Sequence, residues 1–155
     1  MIGWVATGAQ TPMSKGVKLA IIISIVFFAA IFIGIGIMFY FGEKDPVVTA
    51  HSDSIQISAM YGLTINKSEI SEIVLLEKSM HEIGIGIRTN GYGGFGQALK
   101  GNFSSAELGM QLLFVYADST PTIQIIRTIG ADIFISFRDG ETSRTVYSQL
   151  SAFVR

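Results

Sequence analysis

Leu19 to Phe41 reads LAIIISIVFFAAIFIGIGIMFYF, twenty-three residues without a charge and with Ser24 as the one clearly polar side chain. As a helix rising about 1.5 Å per residue, the run covers roughly 35 Å, enough for a hydrocarbon core of about 30 Å with some tilt. Fifteen of the twenty-three are Leu, Ile, Val or Phe. At about −0.3 to −0.6 kcal/mol each near the bilayer centre, they favour insertion by several kcal/mol. The run therefore reads as a transmembrane helix over residues 19–41.

A cleaved secretory signal has an apolar stretch of only about 7 to 15 residues, closed by a small-x-small site before a polar start. Here the late match, Gly34-Ile35-Gly36, is followed by more apolar residues. The segment thus reads as an uncleaved signal anchor. Lys15 and Lys18 precede it, whereas Lys44 follows between Glu43 and Asp45. The basic excess on the amino-terminal side predicts that this side stays inside and that the remainder is extracytoplasmic. Tyr40 and Phe41 fit an aromatic belt at the exit. Residues 1–18 read as a short tail, and either Met1 or Met13 fits as the start, because Met13 opens the short basic segment MSKGVK.

Beyond the run, nine basic residues face twelve acidic ones, so that part carries a net charge of −3, dispersed along the chain. No basic patch marks a nucleic-acid or anionic-lipid footprint. Cysteine is absent, which excludes disulfides, thiolate metal sites and thiol nucleophiles together. About 110 residues suffice for one domain with its own core and are too few for two.

Residues 42–53 read as a linker and 54–155 as the domain. Ile55, Ile57 and Ala59 alternate with polar neighbours, Tyr61-Gly62 marks a turn, and Leu63-Thr64-Ile65 returns as the second arm of a hairpin. Ile70 to Leu76 makes a further strand, and the alternation of Ile83, Ile85 and Ile87 predicts another. Met110 to Tyr116, Ile123 to Ile129 and Ile133 to Phe137 follow, separated by turn signals at even spacing. That spacing predicts an antiparallel sandwich or partly open barrel. From Asp139 the period changes: Val146, Leu150, Phe153 and Val154 share one helical face, with Asp139 or Thr142 able to cap the start.

Three segments, IQISAMYGLTINKSEI, IGIRTNGYGGFGQALKGNF and ETSRTVYSQL, resemble the bacterial pleckstrin-homology-like domains, in this order and over about residues 54–152. The resemblance implies a mainly β fold with one C-terminal helix, a PH-like two-sheet partly open barrel, and a habit of membrane attachment. It carries no chemistry. The expected role is a protein-interaction or assembly module at a bacterial membrane surface, with the lipid bilayer and either a protein partner or a second copy as partners. An envelope small-ligand or lipid-binding domain, or an accessory subunit of a larger membrane complex, is the alternative.

No catalytic constellation is expected. Gly91-Tyr92-Gly93-Gly94-Phe95-Gly96 matches the spacing of a dinucleotide-binding turn, but no helical run follows and no β-α-β alternation surrounds it. The stretch from Asn90 to Gly101 reads instead as a glycine-rich bulge or wide turn that exposes Tyr92 and Phe95, the best interaction candidates in the chain. Residues Met60-Tyr61-Gly62 lack the lysines and arginines that a phosphoinositide headgroup needs, so that ligand is disfavoured. His51 and His81 have no second ligand at motif spacing, and no metal or cofactor is expected. Asn66-Lys67-Ser68 and Asn102-Phe103-Ser104 match a glycosylation sequon, a pattern frequent by chance. Within the apolar run, Ala20 with Ser24 and Ala30 with Gly34 form two small-xxx-small pairs on about a third of the helix circumference, candidates for helix packing.

Overall fold

The computed structural model describes residues 12–94 and 97–154. The apolar run lies inside one helix, α1 (Lys15–Glu43), longer at both ends than the hydrophobic pattern alone marks out. Ser14 caps its start, its hydroxyl accepting from the Val17 amide at 3.4 Å. The helix is long and apolar enough to cross a membrane, with a mean hydropathy of 2.9 over its most apolar stretch, and no residue of that stretch is buried. The described residues form two compact units that divide after Ile37, so the last six residues of α1 belong to the second unit with everything that follows.

The second unit begins its β structure earlier than the hydrophobic alternation does. β1 (Val47–Ala50) occupies residues read as linker and pairs antiparallel with β2 (Ser54–Ser58), Val48 opposite Ile57. β2 pairs in turn with β3 (Leu63–Asn66), Ile55 opposite Ile65. This is the hairpin that the period-two pattern predicts. Its tip is tight: the Gly62 amide donates to the Ala59 carbonyl at 3.0 Å, and a Cβ on Gly62 would collide with the Ile57 carbonyl oxygen.

The larger sheet has six strands. β4 (Ile70–Leu76) leads to a one-turn helix, α2 (Met80–Ile83), then β5 (Ile87–Gly93), β6 (Ala98–Ser105), β7 (Gly109–Tyr116), β8 (Thr122–Arg127) and β9 (Asp132–Ile135). In space the order is β4-β8-β9-β7-β6-β5. Two sequence expectations are corrected here. Ile83, Ile85 and Ile87 do not share a strand, because the Ser79 hydroxyl accepts from the Glu82 amide while the Glu82 carboxylate accepts from the Ser79 amide at 2.8 Å, a capping box that starts α2. Gly84 and Gly86 then sit at φ 119° and 72°, outside extended geometry. The glycine-rich stretch, read as a bulge or wide turn, is largely strand in its described residues: Gly91 and Gly93 lie in β5 and Gly101 in β6, paired antiparallel, with one bulge-like register break just before it, between Arg88 and Asn90.

The sheet is mixed rather than antiparallel throughout. β7 runs parallel to β9, Leu113 opposite Phe134, with β8 antiparallel on the far side of β9. Both central strands are buried on their two faces, the setting in which strands read as unbroken apolar runs. On one face Phe114, Ile123, Ile125, Ile133 and Ile135 meet Ile55, Ile57 and Ile65 of the small sheet. On the other, Leu113, Val115 and Phe134 pack with Met80 and Phe103. The two sheets do not close into a barrel; β4 and β5 remain as the edges of the larger one.

The terminal helix is where the 3.6-residue pattern puts it. α3 (Gly140–Val154) is capped by Asp139, whose carboxylate accepts from the Glu141 and Thr142 amides at 3.2 and 3.3 Å. The Thr142 hydroxyl, donating to the same carboxylate at 3.0 Å, contributes most to holding the Asp139 carboxyl below its ordinary range, with the two amides adding to it. Leu150 is buried in the two-sheet core, with Val146, Phe153 and Val154 packed beside it.

Candidate functional site at the end of the apolar helix

Every α-helix leaves its last four carbonyls without intrahelical donors, and its C-terminus carries a partial negative charge. In the second unit, the end of α1 is met by side chains from three strands and a loop. Lys100 of β6 is 1% exposed, and its ammonium donates to the Phe41 carbonyl at 3.5 Å and, more closely, to the Lys44 carbonyl. From β7, the Tyr116 hydroxyl donates to the Glu43 carbonyl at 2.5 Å. Arg138, just beyond β9, donates to the same carbonyl at 3.0 Å and lies over the Tyr116 ring at 4.8 Å. The Tyr92 hydroxyl of β5 donates to the Glu43 carboxylate at 3.0 Å. Gly42 is buried against the Tyr92 ring, where a Cβ would collide with it.

Register explains the convergence. Tyr92 is opposite Lys100 and Ala98 is opposite Tyr116, so Tyr92, Lys100, Ala98 and Tyr116 share one face of adjacent strands. Ala98 is the smallest of the four, and Tyr92, Ala98 and Tyr116 pack together with Phe39 and Met60. Burial pushes the Tyr92 and Tyr116 hydroxyls up to about 12, with the Glu43 carboxylate adding to the rise at Tyr92. The Lys100 ammonium shifts downward for the same reason, opposed by the nearby Asp45 and Glu43 charges.

A pH dependence follows. A tyrosine whose folded value exceeds its ordinary 10.0 contributes stability that is complete below pH 10 and is lost as pH rises toward 12. Lys100, shifted the other way, offsets part of that loss. Alkaline titration followed by ultraviolet absorbance should show Tyr92 and Tyr116 ionising late, together with loss of native circular dichroism. Early ionisation of all five tyrosines without unfolding would contradict the geometry.

The interaction candidates fall differently from expectation. Tyr92 is 6% exposed and is part of the helix-end cluster, so it is not an aromatic presented to solvent; the strand pairing of β5 turns its ring inward. Phe95 lies outside the described residues. Ala20, Ser24, Ala30 and Gly34 are exposed on α1, and the Ser24 hydroxyl donates to the Ala20 carbonyl at 2.9 Å. Of the dinucleotide-like glycines, Gly91 and Gly93 lie within β5, and the next element in the chain is the strand β6, not a helix. His51 contacts Gln56 at 3.2 Å, and His81 contacts Asp118 at 3.3 Å with 74% of its side chain exposed. Among the described residues no three His, Asp or Glu side chains gather as a metal site would require. Beside the helix end lies a cleft of about 310 Å³ between Phe41, Lys44, Asp45, Val47, Ala59 and Met60.

No family model, curated protein or solved structure matches the chain.

Lys100 was the residue least visible in the sequence. It falls at the end of the glycine-rich stretch from Asn90 to Gly101 that reads as a bulge or wide turn. The available signal was the Glu43-Lys44-Asp45 break directly after the apolar run, which announces unsatisfied carbonyls in need of cationic donors.

Proposed function

We propose that this is a single-pass, signal-anchored membrane protein whose PH-like β domain serves as an interaction or assembly module at a bacterial membrane surface, and is not an enzyme. The observation that carries the reading is the helix-end cluster. Lys100, Tyr92, Tyr116 and Arg138 direct their donors at the end of the apolar helix. Such groups position a helix terminus. They do not converge on a space where a substrate could react.

The PH-like assignment draws support from the two sheets with a C-terminal helix packed on their core. The parallel β7–β9 pair departs from the all-antiparallel order of the expectation. Lys15 and Lys18, ahead of the apolar run, favour an inside amino end and an extracytoplasmic domain.

Alkaline carbonate extraction of cell membranes tests the anchor: the full chain should remain in the pellet, and its release would overturn the reading. Because the chain has no cysteine, a single cysteine at Ser52 can report the side of the membrane. Labelling by an impermeant maleimide on intact cells is expected, and labelling only after lysis would reverse the orientation. For the assembly role, the tagged chain purified in mild detergent at native abundance should migrate with a stoichiometric partner or a second copy. A monomer under those conditions would count against it.

A further inference from the structure

The second unit exposes large apolar side chains at several places, and four of them lie along the stretch where α1 ends and the small sheet begins and turns. Tyr40 and Phe41 are 64% and 53% exposed, Val47 of β1 is 56% exposed, and Tyr61 at the β2–β3 tip is 40% exposed. Phe41 and Val47 line the cleft described above, and Met60, the neighbour of Tyr61, forms part of its wall. Val47 is opposite Ser58 in the sheet register, two residues from Met60. The exposed Lys44 belongs to the same wall, its ammonium 5.9 Å from the Tyr40 ring centre.

Tyr61 is held there at a cost. Among the described residues it is the one non-glycine with positive φ, at 66°. A bulky side chain is disfavoured in that region, where Gly or Asn is the usual choice. Its ring edge approaches the backbone of Gly101 so closely that a Cβ on Gly101 would stand 3.3 Å away. Strain of this kind persists where the surrounding structure fixes it, and here it keeps at the hairpin tip an aromatic residue that stays 40% exposed while one ring edge rests by Gly101.

We propose that Tyr61 and Val47, continuous with Tyr40 and Phe41, rest in the headgroup layer of the leaflet in which α1 ends, with Lys44 meeting lipid phosphates. The occupant of this surface is phospholipid, because Phe41 is the last residue of the apolar run and also a wall of the cleft. The cleft therefore opens where the chain passes from hydrocarbon to water. Tyrosine, with an apolar ring and a polar tip, suits that boundary, and lysine extends an apolar stem beneath an ammonium that stays with the phosphates. This inference rests on the anchoring reading and deepens it: the domain would touch the membrane through its own hairpin as well as through its helix.

The test uses the full chain, whose lack of cysteine allows single reporters. Tyr61→Cys, Val47→Cys, Ile31→Cys and Ile129→Cys would each carry an environment-sensitive fluorophore, in phosphatidylcholine–phosphatidylglycerol vesicles containing nitroxide lipids. Ile31 reports the anchor itself, and Ile129, an exposed apolar residue in the β8–β9 turn, reports a surface outside the proposed contact. The expected result is quenching at position 31 by acyl-chain nitroxides, and at 61 and 47 by headgroup nitroxides, with emission at 129 retained. Quenching at 31 with none at 61 and 47, or with equal quenching at 129, overturns the inference and leaves the anchor standing. Absence of quenching at 31 removes the anchoring reading and this inference with it. Should Tyr61→Cys fail to fold, position 47 decides the question alone.

Discussion

Lys100→Glu should abolish cooperative folding of the second unit, whereas Lys100→Met should leave it folded but weakened. The wild-type ammonium is buried among acceptors: the Phe41 and Lys44 carbonyls accept from it, and the Glu43 and Asp45 charges lie near. Methionine keeps most of the stem volume and removes the donor. Each part-buried carbonyl then left without this donor costs at most about 1–3 kcal/mol. Glutamate adds a buried anion beside the negative end of a helix and two existing carboxylates. An uncompensated buried charge alone costs about 3–5 kcal/mol, to which the lost donor is added. The sum is comparable to the whole stability of a typical domain, about 5–15 kcal/mol. Urea titration of the full chain in detergent, followed by near-ultraviolet circular dichroism, should show a lowered midpoint for Lys100→Met and no native baseline for Lys100→Glu. A Lys100→Glu protein with a wild-type midpoint would mean that the helix end is not held by this side chain.

The contrast between Lys100 and Leu150 shows which parts of the molecule were legible beforehand. Leu150 belongs to a local pattern, Val146, Leu150, Phe153 and Val154 on one face, with Asp139 at its start, and the helix follows from residues within about four turns of each other. The β2–β3 hairpin is equally local, since Ile55, Ile57 and Ile65 alternate across a four-residue connection. Lys100 acquires its role from β5 and β7 on either side and from residues nearly sixty positions earlier. No window of sequence contains that information. The parallel β7–β9 pairing is non-local in the same sense, because β8 lies between them in the chain but beyond β9 in space.

A different failure occurred at residues 79–87. There the signal was local and present, Ser79-Met80-His81-Glu82, a capping box. The isoleucine alternation that followed outweighed it, although the intervening Gly84 and Gly86 weaken a strand. Tyr92 was misplaced for a related reason: a glycine-rich setting reads as loop, yet these glycines let β5 and β6 approach closely, with Gly91 hard against the Lys100 carbonyl.

Phe114→Ala should cost about 3–5 kcal/mol, the range for a fully buried aromatic replaced by alanine. Phe114 has no exposed surface, stands opposite Lys100 on one side and Ile135 on the other, and belongs to the core shared with Ile55, Ile57 and Ile65 of the small sheet. Little can collapse into the space it leaves, because the flanking β6 and β9 are fixed by their own ladders. The form of the loss is as informative as its size. If the two sheets unfold together, the urea midpoint falls while the slope of the transition is unchanged, since the same surface is exposed on unfolding. Phe134→Ala, on the opposite face of the six-stranded sheet, should then give a loss in the same range with the same slope. A shallower slope or a second transition confined to Phe114→Ala would mean that the small sheet separates first, and that the tie between the sheets is weaker than their shared isoleucine core implies.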